Sequence, residues 1–321
     1  MTHPALRSLR VPLLLAATAC SSSTTTATST TATDGGTTTA AGDGGVTTTA
    51  DGGVTATGLH DLTTCTTSIA ADAPAFYKKF FKCVTVTTTA DGVNVAYNGL
   101  PPHKSYYYGQ GNVNFADFDT SRGPTYKPNP NKIVGRTRTV SVPSAPVSRG
   151  LTITPAMVDR KAGTNPNEYR MGAAGVAIDS VVIFNDQAAG QDNIDDERFT
   201  FDSYDAHPAP SGEYHYHTTS PGPLEVLKAL GFATTTKPGD AEVELYGVMC
   251  DGALVLGCTE LDGKAPDGAT LDGQNGHVTD IVDKDGVTHF TGRYHTHVCP
   301  KLFTTHKYTP EIQFYSTCTV K

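Results

Sequence analysis

The chain has 321 residues and a formal net charge of −8, from 24 basic and 32 acidic side chains. That balance disfavours nucleic acid and anionic lipid as partners, since both reward basic patches. With 32 glycines and 20 prolines among short Val-, Thr- and Tyr-rich runs, the composition argues for an all-β architecture over a helical bundle.

Taken in chain order, residues 1–19 read as an export signal. Arg7 and Arg10 supply the basic segment, and Val11 opens a short apolar run too brief to span a bilayer as a mature helix. Ala17-Thr18-Ala19 stands directly before Cys20. This arrangement resembles a bacterial lipoprotein box, in which the cysteine is lipid-modified and becomes the first mature residue. Ala17 occupies a position where a larger aliphatic side chain is usual, so an ordinary secretory signal is the competing reading. Both readings place the protein outside the cytoplasm: on the outer or cytoplasmic membrane through lipidated Cys20, on the periplasmic or extracellular side, or secreted. Residues 20–58 hold almost no large apolar side chain, and Asp-Gly-Gly recurs from Asp34, Asp43 and Asp51. Such a segment cannot bury enough apolar area to offset its chain entropy, so it reads as a disordered, lipid-anchored tether. No later run approaches the roughly 18 apolar residues needed to cross a membrane.

Residues 59–321 form the candidate body, long enough for a sizeable core. Helical periodicity is confined to residues 223–230 and 70–81. Strands are expected at residues 84–89, 136–142, 176–184, 242–249, 253–256 and 308–320, between Gly, Pro, Asn and Asp clusters. The resulting fold is mostly β, with sandwich- or barrel-like antiparallel sheets, one or two short helices and disulfide stabilisation. Apart from Cys20, the cysteines are Cys65, Cys83, Cys250, Cys258, Cys299 and Cys318. An even set in an exported chain suggests disulfides, and sequence proximity favours Cys65–Cys83, Cys250–Cys258 and Cys299–Cys318. There is no Cys-x-x-Cys, so thiolate ligation of zinc is discounted.

Gly212-Glu213-Tyr214-His215-Tyr216-His217 returns as Gly292-Arg293-Tyr294-His295-Thr296-His297. In an extended strand, residues i and i+2 share a face about 6.6 Å apart, so each copy presents two imidazoles together and turns its tyrosine the other way. An acidic turn and a histidine precede each copy: Asp202 to His207, and Asp272 to His277. Internal duplication is the economical explanation, with a longer connecting loop in the second half. The two copies are expected to face each other across one shared metal or catalytic site. His215, His217, His295 and His297 are its candidate ligands, and His207 and His277 could complete it. Asp205 and Asp272 are placed to orient imidazoles through their free ring N–H, although simple turn chemistry explains them as well.

The literal Tyr214-His215-Tyr216-His217 resembles the name-giving motif of the YHYH-domain proteins of bacterial envelopes and some eukaryotes. Other segments carry the same resemblance over residues 95–300: Asn98-Gly99-Leu100-Pro101-Pro102-His103, Asn129-Pro130-Asn131, Gly175 to Asp179, Leu245-Tyr246-Gly247 and Asn275-Gly276-His277. The chain departs from the pattern at Asp179, where Asn is expected, and at Thr296, which replaces the second tyrosine. The resemblance implies a fold and a histidine site rather than a reaction, and it adds His103 to the candidate ligands.

Neutral imidazole suits copper, zinc, iron and nickel, and with no thiolate or thioether nearby copper or zinc is favoured. Asp283-Lys284-Asp285-Gly286 lacks the twelve-residue calcium loop and reads as a hairpin turn. There is no Gly-x-Ser-x-Gly, P-loop or dinucleotide fingerprint. Tyr106-Tyr107-Tyr108 fits a ligand groove no better than a packed loop. Two function classes remain. One is an envelope protein that binds a transition metal through the two motifs. The other is a metal-dependent hydrolase or oxidoreductase that uses the same cluster with an open coordination position.

Overall fold

A computed structural model describes residues 62–301 and 308–321. The export signal, Cys20, the tether, His60 and His306 lie outside the described residues. Two open sheets make up the body, with no closed barrel among the described residues. The smaller has the order β1-β2-β3-β4-β13, formed by Ser68–Ile69, Thr85–Thr88, Gly92–Tyr97, Arg138–Pro143 and Thr319–Val320. The larger is built from β5 (Ala173–Ala177), β6 (Val182–Phe184), β7 (Ala206–Pro208), β8 (Tyr214–Tyr216), β9 (Leu245–Met249), β10 (Leu254–Leu256), β11 (Gly276–Val282) and β12 (Thr288–His297). Its order is β11-β12-β10-β9-β5-β6-β8-β7.

The larger sheet is two copies of one four-strand unit. In the first, β5 pairs antiparallel with β6, β6 parallel with β8, and β8 antiparallel with β7. In the second, β9 pairs antiparallel with β10, β10 parallel with β12, and β12 antiparallel with β11. The units meet at β5 and β9, where Val176 pairs with Val248, Gly175 with Met249 and Ala177 with Gly247. That register is self-complementary: each residue on β5 meets the counterpart of its mirror position on β9, as a local twofold axis through the Val176–Val248 pair requires. The parallel pairings within each unit make the sheet mixed rather than purely antiparallel.

Both sheets bury their apolar faces in one core containing Val86, Val95 and Val140 from the small sheet and Val176, Ile183, Leu245 and Val255 from the large one. Strands β3 and β4 alternate inward Val93, Val95, Val140 and Val142 with less buried neighbours, as expected of a half-exposed sheet. By contrast, β9 and β10 are buried at every position, in keeping with their central place. Three short α-helices complete the body: α1 (Ala75–Phe80), α2 (Ile194–Glu197) and α3 (Pro221–Ala229). Ser220 caps α3 by accepting from Gly222 N, Pro221 takes the first turn, and Gly231 follows its end at φ 76°. No helix among the described residues is long and apolar enough to cross a membrane.

Three sequence expectations need correcting. The single strand expected at residues 176–184 is the hairpin β5–β6, turned by Ser180 at φ 74°. A continuous apolar run could not reveal that break. The strand expected at residues 308–320 is only β13, plus isolated bridges at Tyr308, Ile312 and Tyr315. Of the local disulfides only Cys65–Cys83 forms; the others are Cys250–Cys318 and Cys258–Cys299. Sequence proximity failed because β9–β10 is a tight hairpin whose ends are already joined by backbone bonds. Its two cysteines are therefore free to reach the C-terminal segment and the end of β12.

Candidate metal centres

Each four-strand unit ends in a strand pair that gathers three imidazoles. On β7 and β8, His207 pairs in register with His215, and His217 follows one residue past β8. On β11 and β12, His277 pairs with His295, and His297 ends β12. In the first group His215 Nε2 lies 3.1 Å from His207 Nε2 and 2.9 Å from His217 Nε2. In the second, His277 Nε2 lies 2.8 Å from His295 Nε2 and 3.3 Å from His297 Nε2. Here a fourth donor joins: Glu260 Oε1 stands 2.9 Å from His277 Nε2, and Oε2 3.0 Å from His295 Nε2. Both groups can hold a metal ion, and in each the donor atoms lie within 4.8 Å of one another. Metal–nitrogen bonds of about 2.0–2.1 Å place adjacent donors roughly 3.0–3.4 Å apart, in line with these spacings.

The far ring nitrogens decide what the near ones can do. His215 Nδ1 is 2.9 Å from Glu213 O, His217 Nδ1 2.6 Å from Asn185 O, His295 Nδ1 3.1 Å from Arg293 O and His297 Nδ1 2.9 Å from Gly257 O. A carbonyl only accepts, so each Nδ1 carries the proton. His207 and His277 reach the same tautomer through threonine. Thr200 Oγ1 donates to Glu197 O and Thr270 Oγ1 to Asp267 O. Each hydroxyl oxygen is then left to accept from Nδ1, at 2.6 Å for His207 and 2.7 Å for His277. All six Nε2 atoms therefore point bare lone pairs inward. Such second-sphere partners, carbonyl or hydroxyl, fix the ring and raise its basicity as a ligand.

Burial favours the neutral rings further. His207 and His215 are held well below the usual imidazole range, by burial and then by neighbouring imidazoles. For His217, burial outweighs the Asn185 hydrogen bond and brings its value down to about 4. Burial also lowers His295 against the pull of Glu260. Glu260 itself would be raised by burial, but wherever an imidazole carries a proton on Nε2 its hydrogen bond outweighs burial and holds the carboxyl well below its ordinary range; with the rings neutral at Nδ1–H, the carboxylate and the Nε2 lone pairs are left facing one another. A ring with a depressed value is neutral above that value and so remains a competent ligand there. Metal uptake by the first group should therefore persist through the window between about 4 and 6.5, where a free imidazole is protonated. Metal retained after desalting at pH 5 checks this; loss of the ion already at pH 6 would contradict it.

The tyrosines of the repeat face away and lock each unit to its turn. Tyr214 Oη donates to Asp202, whose carboxylate also accepts from Ser105 Oγ and Tyr204 N. Tyr294 Oη donates to Asp272, which accepts from Gln274 N and Gly276 N. Both turns place their fourth residue in the left-handed region, Asp205 at φ 54° and Asn275 at φ 58°, which Asp and Asn tolerate best after glycine. Asp272 therefore anchors a tyrosine, and Asp205 pairs with Arg122 at 2.6 Å; neither orients an imidazole. Tyr216 Oη donates to Asp179, which burial pushes up to about 7. A Cβ on Gly222 would run into that Asp179–Tyr216 pair, so the second residue of α3 is glycine. In the second unit Thr296 replaces Tyr216, and Asp251 accepts instead from Tyr315 N at 2.9 Å.

Residues 151–276 match the sequence model of a family described as YHYH protein. Over that segment the chain is similar to the YHYH family. No curated protein and no solved structure matched it. The matched YHYH segment contains β5 to β10, the whole first group and Glu260. It ends one residue before His277, so the second set of imidazoles lies beyond it. The expectation of one shared site is corrected: β8 and β12 are five strand spacings apart, roughly 24 Å, so the two copies build two centres. The copies share a fold axis and no ion. His103 joins neither centre. It is buried on the tyrosine side, stacked on Tyr204 at 3.6 Å, with Nε2 3.3 Å from Tyr216 Oη. His289 sits 2.8 Å from Asp283, by the β11–β12 hairpin turn at Gly286. Tyr106, Tyr107 and Tyr108 are buried, and of the three Tyr108 lines a cavity of about 560 Å3 beside Pro101, Pro102 and Asn114.

Sequence reasoning missed Glu260 and the two threonines. Thr200 and Thr270 were visible, each seven residues before its histidine. Glu260 carried no local signal, since its donor role depends on the chain path after β10.

Proposed function

We propose that the protein binds two transition-metal ions, copper or zinc, one at His207, His215 and His217 and one at Glu260, His277, His295 and His297. The observation that carries this reading is the convergence of bare Nε2 lone pairs at 2.8–3.3 Å. Lone pairs facing one another with no proton between them repel, and in a buried site that repulsion is poorly screened. A bound cation turns it into attraction. Imidazole nitrogen with or without one carboxylate suits copper(II) and zinc(II), and disfavours calcium and magnesium. Metal-stripped full chain titrated with either ion should take up two equivalents, read by calorimetry and elemental analysis. Absence of high-affinity uptake of both ions would sink the reading.

The same proposal places the protein outside the cytoplasm, anchored to a membrane through lipidated Cys20 by a tether. Support comes from the Arg7, Arg10 and Ala17-Thr18-Ala19-Cys20 pattern and from three disulfides, which persist in oxidising compartments. Cys20→Ser should move the protein from the membrane fraction into soluble exported material; unchanged membrane association would count against the anchor.

A further inference from the structure

The second centre has a back and a front. His295 and His297 lie at the back, 0% and 1% exposed, whereas His277 is 7% exposed and Glu260 is half-buried. Those two front donors line an open cavity of about 320 Å3. The rest of its wall is acidic, with Asp262, Asp267 and Asp280 facing the same space. Lys264 Nζ lies 2.5 Å from Asp262 and offsets that carboxylate. Asp267 and Asp280 are exposed and carry the negative charge of the mouth.

Both aspartates are tied to the elements that carry the ligands. Asp267 Oδ1 accepts from Ala269 N, and its carbonyl accepts from Thr270 Oγ1, the hydroxyl that receives His277 Nδ1. Asp280, three residues after His277 on β11, accepts from Gly292 N of β12 through Oδ1. Hydrogen bonds thus hold both carboxylates in place beside the front donors. A divalent ion with about six waters takes up roughly 180 Å3, at about 30 Å3 per water, so it fits this cavity before giving up its shell. Carboxylates around a concave opening raise the local concentration of a cation and its rate of encounter.

We infer that the second centre takes up its ion through this mouth, with Asp267 and Asp280 steering the divalent cation and Glu260 and His277 receiving it first. His295 and His297 then complete the set from behind. The two aspartates are positioning residues for loading and not ligands: they act on the rate of capture. Because they are exposed, dissolved salt screens their effect. This inference rests on the two-site reading above, and the test separates them.

Copper(II) capture by the metal-stripped full chain is followed by stopped-flow absorbance in two backgrounds. His215→Ala with His217→Ala leaves the second centre to load, and His295→Ala with His297→Ala leaves the first. In the second-centre background, Asp267→Asn with Asp280→Asn should slow association roughly 10-fold at low ionic strength, and the difference should shrink to about 2-fold in about 0.5 M salt. Asparagine keeps both Oδ1 acceptors, so the turn and the β11–β12 contact survive and one copper ion should still bind at saturation. Dissociation into excess chelator should change by less than about 2-fold, since rim charges act on encounter. In the first-centre background the same two substitutions should leave association unchanged. An unaltered association rate at the second centre, slowing that salt does not relieve, or equal slowing at the first centre would each overturn the inference with both centres still loading. Faster dissociation with unaltered association would overturn it as well, because the aspartates would then hold the ion instead of guiding it. Failure of the second-centre background to load copper at all would instead strike the two-site reading.

Discussion

Alanine at His215 is expected to leave one high-affinity metal site where wild type has two. His215 Nε2 is the middle donor of its group, within 3.1 Å of both partners. Loss of an outer partner of a metal ligand already costs about 10–100-fold in affinity, and loss of the ligand itself should exceed 100-fold. Adding His217→Ala should change little more, because a broken three-donor set has already lost its function as a unit. Adding His295→Ala should remove the other ion independently, since the centres are five strands apart. Calorimetric titration of copper(II) and zinc(II) into the stripped variants reads both effects. A single substitution that abolished both sites would mean that the two copies act on one ion after all.

The second large effect concerns the disulfides. Cys250–Cys318 closes a loop of 68 residues and ties the end of β9 in the larger sheet to the segment leading into β13, the edge strand of the smaller one. Loop-closure entropy for that length is worth about 4 kcal/mol, and its replacement by serines should lower unfolding stability by that order, measured in denaturant. Cys258–Cys299 closes 41 residues, for a similar cost. Its functional consequence differs, however. Cys258 lies two residues before Glu260, and Cys299 two residues after His297, so this bridge holds the carboxylate loop against the imidazoles of the second centre. Serines at Cys258 and Cys299 should weaken metal binding there and spare the first centre; serines at Cys250 and Cys318 should destabilise the protein with both centres still able to load. Equal loss of both ions in the Cys258 and Cys299 variant would refute this local role.

The duplication has a chemical consequence beyond symmetry. The Val176–Val248 axis superposes turn, histidine pair and buried tyrosine from one unit on the other. The two copies differ in the loops after β6 and β10, where buried Ala188 stands in one and half-buried Glu260 in the other. The β11–β12 hairpin lengthened as well, carrying Asp283 and His289 out to a separate contact with Lys79. The histidines and their backbone partners could not vary as freely, since each Nδ1 needs an acceptor at one spot.

Much of this was legible in the residues alone. Short runs between Gly and Pro clusters declared a mostly β fold, because strand and turn preferences act over a few residues. The helical run at residues 223–230 located α3, Pro221–Ala229, for the same reason. The period-two spacing of His215 with His217, and of His295 with His297, put both pairs on strand faces, since pleating alone dictates that. The repeated acidic turn brought in His207 and His277. What tertiary structure alone decided was every relation across the sheet. Strand order, which separates the two histidine sets, depends on how β5 and β9 pair, and no local pattern records that choice. Cysteine partners depend on which chain ends the sheets bring together, so sequence proximity misled for Cys250, Cys258, Cys299 and Cys318. Glu260 becomes a donor only because the chain leaving β10 folds back over β12. His103, equally conspicuous in sequence, was carried to the tyrosine side instead. Short-range preferences specify elements and faces; the pairing of distant strands decides which faces meet.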